Sequence, residues 1–246
     1  MSNSYLGDDD LIFNTSSRIP VCLCIDTSGS MDQYDDTDTS RIERVKKGVA
    51  QFYAELREND LTKYSAEVAI VGFSTTPYIV QDFKTMDLVD AASVNLIPHG
   101  KGDLGKGVLK ALELLQGRKE SYKRNGIDYY QPWLIIMTDG RPTGEENTMA
   151  DLRQAQQKVT EMEKNKKLTV IPVFIGRTEG DSELSEIDSK ADKYLSGFSQ
   201  KNAPLQLSSG EKFSRFFEWL GKSVSIVTSY SDVELDFADL TDWDEI

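Results

Sequence analysis

The sequence Ile19-Pro-Val-Cys-Leu-Cys-Ile-Asp26-Thr-Ser28-Gly-Ser30-Met31 carries five apolar residues in a row, Val21 to Ile25, and then stops at an aspartate followed by two spaced hydroxyls. A short apolar run closed by turn residues reads as a strand buried on both faces, the kind that parallel sheets use. Asp26, Ser28 and Ser30 then fall just past the strand's carboxyl end, where open α/β sheets bind ligands. One carboxylate and two hydroxyls on a turn containing Gly29 are hard oxygen donors. They suit Mg²⁺, Mn²⁺ or Ca²⁺ and not Zn²⁺.

Working outward, the first strand runs from about Arg18 to Asp26. Ser40 then stands as N-cap for a helix from Arg41 to about Asn59. Ile42, Val45, Val49, Phe52, Tyr53 and Leu56 recur there at helical spacing and mark one core-facing stripe. Ala66 to Phe73 reads as a second strand and Tyr78 to Phe83 as a third. The connection through Ser74 to Pro77 is too short for a crossover, so the third strand is antiparallel and lies at an edge. A short helix is expected within Met86 to Pro98. Next comes the Gly-rich loop His99 to Gly107, entering a helix whose buried side is Leu104, Val108, Ala111, Leu112 and Leu115.

Pro132 to Thr138 is another apolar strand, ended by Asp139-Gly140. A helix over Glu145 to Lys164, a strand over Leu168 to Ile175 and a short helix over Asp181 to Ala191 follow. Leu205 to Leu207 reads as a last short strand and Lys212 to Val227 as a last helix. Strands alternating with helices predict an α/β fold: a doubly wound, mostly parallel sheet with one antiparallel edge strand and helices on both faces. Residues 1–17 read as a flexible or loosely docked arm, 18–230 as one domain and 231–246 as an acidic tail.

Of the formal charge of −13 over 246 residues, Asp8 to Asp10 carry −3 and the tail carries −7, leaving −3 for Arg18 to Tyr230. That balance argues against nucleic acid as a partner, because phosphate binding needs a net basic face. Arg118, Lys119, Lys123 and Arg124 form a small basic cluster that reads as a solvated helix end. No apolar run approaches the ~20 residues of a membrane span. The start of the chain lacks the basic-then-apolar order of a secretory signal, so a cytoplasmic setting is expected. Cys22 and Cys24 share one face of a strand with diverging side chains, and read as buried thiols. The tail interleaves Leu235, Phe237, Leu240, Trp243 and Ile246 with acids, a pattern fitting either a solubilising extension or a docking peptide.

Two buried strands thus end in aspartate, at Asp26 and Asp139, and a right-handed parallel sheet delivers both to one edge. Two carboxylates brought together repel and lose hydration, a cost that a divalent cation removes. The structural alternative is that Asp26 caps a turn and Asp139 begins one, Asp-Gly being a common turn pair. An EF-hand starting at Asp36 fails, with Arg41 where the loop needs Gly and Lys47 where it needs Glu. An α/β-hydrolase elbow fails because Ser28 and Ser30 lack the flanking glycines. A haloacid-dehalogenase-type phosphatase fails because residue 28 is serine where a second aspartate is required. His99 is the one histidine and reads as a surface-loop residue. Gly100-Lys-Gly-Asp-Leu-Gly105 has the Gly-x-Gly-x-x-Gly form but no preceding buried strand.

Asp26-Thr-Ser28-Gly-Ser30-Met, the Gly-rich loop before a helix, and Thr138-Asp139-Gly140 after an apolar strand occur in an order and spacing that resembles von Willebrand factor A domains. Within that family the chain looks most like the bacterial tellurite-resistance TerY-like proteins, with the ending Phe216-Phe-Glu-Trp219-Leu-Gly-Lys-Ser-Val-Ser-Ile in support. The resemblance implies a metal-ion-dependent adhesion site, with Ser28 and Ser30 ligating through hydroxyls and Asp26 and Asp139 directly or through water. The family's loop threonine falls at Gly102, which offers no side chain, so either Asp103 turns inward as ligand or water fills the gap. The resemblance further implies an open coordination position for an acidic residue of a partner protein. A cytoplasmic stress-response or defence assembly with kinase and phosphatase partners belongs to the same expectation. A non-enzymatic, protein-binding role follows; the alternatives are a metal-dependent phosphoesterase using Asp26 and Asp139, or a scaffold with a degenerate site.

Overall fold

The computed structural model describes residues 11, 14–34, 38–90, 94–140, 143, 148–176 and 193–230. Among these, six strands form one sheet in the order β3-β2-β1-β4-β5-β6. They are β1 (Ile19–Asp26), β2 (Ala66–Phe73), β3 (Pro77–Thr85), β4 (Trp133–Thr138), β5 (Thr169–Phe174) and β6 (Leu205–Gln206). All neighbours pair parallel except β3, which runs antiparallel to β2 at the edge. The helices described from end to end are α1 (Arg41–Glu58), α2 (Asp60–Ser65), α3 (Leu104–Asn125), α4 (Thr148–Lys164) and α5 (Gly210–Ser229). The expected doubly wound α/β architecture is the one observed.

Strand β1 lies at the centre with every residue buried, and its alternation explains the unbroken apolar run. Ile19, Val21, Leu23 and Ile25 face the core under α1 and α5, while Cys22 and Cys24 face the core under α3 and α4. Both cysteines are free, and burial raises each thiol's pKa well above the ordinary range. The helices of the first face pack tightly. A Cβ on Gly48 of α1 would sit 2.1 Å from the Phe217 ring of α5, so the crossing of the two helices requires glycine there. None of the described helices is long and apolar enough to cross a membrane.

Some expectations need correction. The helix expected to end near Asn59 does end there, but Asn59 also opens α2: its side-chain oxygen accepts the Leu61 and Thr62 N–H groups at 2.9 and 3.1 Å. A turn and irregular chain, with no helix, occupy the described part of 86–98. Ser40 occupies the N-cap position of α1 without a side-chain capping bond. The helix expected at Asp181 to Ala191, the acidic tail and most of the N-terminal arm lie outside the described residues. At the arm's end Leu11 packs with Tyr122 and Ile127, and Asn14 donates to the Tyr64 carbonyl at 2.9 Å.

The basic cluster at the end of α3 divides. Lys123 and Arg124 are exposed, but Arg118 points inward. Its Nε and terminal nitrogen donate to the two Glu67 oxygens at 2.6 and 2.7 Å. Arg18 Nε donates to Glu67 at 2.9 Å, and the Tyr122 hydroxyl completes the set at 2.5 Å. Arg18 also reaches the carbonyls of Asn14, Ser16 and Tyr64. A solvated helix end would not hold a guanidinium that is 7% exposed; the fully buried Glu67 on β2 is what draws it in. Removing one member of such a set strands buried charge. Glu67→Gln should therefore lower stability by about 3–5 kcal/mol in urea unfolding at unchanged m-value.

Candidate metal centre

The chain moves from β1 outward through α1 to β2 and β3, then crosses to the other side through α3 to β4. The switch point of the sheet thus lies between β1 and β4, and Ile25 pairs with Met137 at their carboxyl ends. Asp26 closes β1 there. Asp139 follows β4 directly. After Asp26 the backbone bends into a single 3₁₀ turn, Gly29–Asp32, which carries the side chains of Ser28 and Ser30 back over the strand ends.

The structure brings Asp26, Ser28, Ser30 and Asp139 together. Asp26 Oδ1 accepts the Ser28 N–H at 2.7 Å, and its Oδ2 accepts the Thr138 hydroxyl at 2.6 Å. The Ser28 and Ser30 Oγ atoms lie 3.0 Å apart, and Ser30 Oγ donates to Asp139 Oδ1 at 2.8 Å. Oxygens on adjacent corners of a Mg²⁺ octahedron are about 3 Å apart, so these spacings fit one hard ion. Among the described residues, no group of three or more His, Cys, Asp or Glu side chains gathers to hold a metal. The donor set is two carboxylates and two hydroxyls.

Burial and the neighbouring Asp139 charge push the Asp26 carboxyl up to about 7, against the smaller opposing effect of its bonds from Thr138 and Ser28. The paired aspartates are therefore costly without a cation. The structure supplies one that the sequence reading missed: Arg41, first residue of α1, donates to Asp139 Oδ2 at 2.5 Å. A helix start disfavours a cation, and it is the anionic Asp139 that holds Arg41 buried at that position.

The Gly-rich loop reaches the site through its backbone. The His99 N–H donates to the Thr27 carbonyl at 2.8 Å, and the Gly29 N–H to the Gly100 carbonyl at 3.1 Å. Gly102 and Thr143 exchange two bonds: the Gly102 N–H donates to Thr143 Oγ1 at 3.2 Å, and the Thr143 N–H to the Gly102 carbonyl at 3.0 Å. Nothing in the local sequence marked Thr143. A Cβ on Gly102 would meet Asp26 Oδ2 at 3.4 Å and Ser28 Cβ at 3.7 Å, so this position faces the cluster. Asp103 is held elsewhere. It caps α3, its Oδ1 accepting the Lys106 N–H at 3.2 Å and its Oδ2 lying 2.9 Å from the Lys106 ammonium. His99 is an exposed loop residue, with its ring nitrogens near Ser74 Oγ and the Ile97 carbonyl at 2.9 and 2.8 Å.

Residues 21–142 match the family model of the von Willebrand factor type A domain. A comparison with curated proteins finds no match. Among solved structures, the PilB minor pilin from Streptococcus sanguinis aligns with a TM-score of 0.63 at 16% identity, covering 89% of this chain and 64% of that one. The vWF domain of the type V pili tip protein Mfa5 from Porphyromonas gingivalis aligns at 0.60 and 13% identity, over 89% of this chain and 99% of that domain. The von Willebrand factor type A protein from Catenulispora acidiphila aligns at 0.58 and 17% identity, over 85% of this chain and 43% of that one. The chain spans less than two thirds of the PilB chain, and at these identities the likeness is one of fold. The matched family model, the sheet order and the neighbours agree: this chain carries a von Willebrand factor type A domain.

Proposed function

We propose that the chain is a non-catalytic protein-binding module whose site takes a divalent cation, Mg²⁺ in the first place and Mn²⁺ or Ca²⁺ as alternatives. Asp26, Ser28, Ser30 and Asp139 would hold the ion. The single observation that supports this is the run of oxygens from Ser28 through Ser30 to Asp139, spaced at 3.0 and 2.8 Å beside a second buried carboxylate. A bound ion supplies positive charge and an electrophilic position that a carboxylate of a partner protein can enter. The chain's own residues do the rest. Thr138 and the Ser28 N–H orient Asp26, Ser30 orients Asp139, and the backbone bonds at His99 and Gly29 fix the loops around them. With Asp103 engaged by Lys106, the position at Gly102 is left to solvent or to the partner. The resemblance to TerY-like proteins is the ground for proposing a cytoplasmic stress-response or defence setting with kinase and phosphatase partners.

Mg²⁺ or Mn²⁺ at ~100 times its dissociation constant should stabilise the fold by about 2.7 kcal/mol. In thermal melts Asp139→Asn should remove that increment, while Asp38→Ala should leave it intact. Loss of the increment from neither variant would overturn the assignment, and so would turnover of a generic phosphoester that disappears in Asp26→Ala.

Gly102→Thr places a hydroxyl where the Cβ faces Asp26, and titration calorimetry should show tighter Mn²⁺ binding than in the parent chain.

The ion-free chain should also respond to pH. Asp26 binds its proton in the folded state up to about 7 but releases it near 3.8 when unfolded. The folded state therefore holds more protons between these limits, and the contribution of Asp26 to stability falls as pH rises from about 4 to about 7, with no further loss above. Asp26→Asn should flatten that part of a stability–pH profile measured in EDTA.

A further inference from the structure

We propose that Arg41 is a resident counter-cation that competes with the divalent ion for Asp139, and so sets how tightly the site loads. The inference rests on the divalent-ion reading above. Asp139 divides its two oxygens between two tasks: Oδ1 accepts from Ser30, inside the oxygen cluster, and Oδ2 accepts from Arg41 at 2.5 Å. Both side chains of the ion pair are almost wholly buried, at 3% and 1% exposure, so water screens the pair little. The same guanidinium nitrogen reaches the Ser30 carbonyl only at 3.5 Å, and Arg41 Nε lies buried with no acceptor among the described residues. The arginine thus forgoes a hydrogen bond and sits at a helix start that disfavours its charge. The Asp139 carboxylate is the compensation it receives for both.

Two consequences follow from charge alone. Asp26 and Asp139 carry a formal −2 and Arg41 returns +1, so the site without metal is already half neutralised. A divalent ion sharing Asp139 with the guanidinium must approach a fixed positive charge within a few ångströms. Even at a surface-like dielectric that repulsion exceeds what a tenfold change in affinity is worth. The loaded site then carries a net positive charge, which raises its attraction for an anionic ligand above that of a neutralised centre.

Arg41→Gln removes the charge and retains an amide donor at position 41; Arg41→Lys keeps the charge. Mn²⁺ binding to the full chain is measured by titration calorimetry and by electron paramagnetic resonance, with melting temperatures recorded in EDTA. The expected result is that Arg41→Gln binds Mn²⁺ at least about tenfold more tightly than the parent chain. Arg41→Lys should stay near the parent value, and Arg41→Gln should melt lower in EDTA. Binding by the parent and by Arg41→Gln with equal affinity overturns the competition while the ion site stands. Binding by Arg41→Gln alone supports the competition and overturns ion loading in the native chain. Absence of binding in both overturns both. Should Arg41→Gln fail to fold, the guanidinium ¹⁵N resonance of Arg41 in the parent chain decides: it should shift on Mg²⁺ addition, and an unmoved signal overturns the proposal.

Discussion

Two carboxylates buried side by side must be compensated where they stand, and the carboxyl edge of this sheet is built around that requirement. Asp26 and Asp139 end adjacent parallel strands, so the topology brings them together whether or not a cation is present. The surrounding contacts each take part of the load: the Ser28 N–H and Thr138 hydroxyl on Asp26, the Ser30 hydroxyl and Arg41 on Asp139. What they leave uncompensated appears in the raised pKa of Asp26.

The backbone framework around this edge is hydrogen-bonded across segments that are remote in sequence. The β1 turn bonds to the Gly-rich loop, that loop bonds to Thr143 after β4, and Thr27 bonds back to the end of β2. Each loop is thus fixed by another loop as well as by its own strand. This fits a site whose geometry is preformed, with the helices packed tightly enough behind it that Gly48 cannot carry a side chain.

The fold was legible in the sequence because its strongest signals are short-range. The apolar run of β1, the bounds of β2 and the stripe on α1 follow from periodicity, and the three residues between β2 and β3 dictate an antiparallel edge. The aspartates were legible because each ends an apolar run. What could not be read are the long-range pairings of charge. Arg41 meets Asp139 across 98 positions, and Arg118 meets Glu67 across 51, with no local pattern linking either pair. Asp103 and Gly102 could not be told apart beforehand, because which one faces the cluster depends on the residue at which α3 begins. That helix starts at Leu104, which makes Asp103 its cap and turns Gly102 towards Asp26.

The amino edge of the same sheet solves the opposite problem. Glu67 receives Arg18, Arg118 and Tyr122 together, so an anion there is saturated by donors from the chain before β1 and from α3. Guanidinium groups stay ionised through any physiological acidity, and Glu67 is sealed from solvent. One pole of the domain is therefore tied together by buried charge pairing between β2, α3 and the chain before β1. Among the described residues the two poles are thus opposites in charge: two guanidiniums surround one carboxylate at the amino edge, and two carboxylates share one guanidinium at the carboxyl edge.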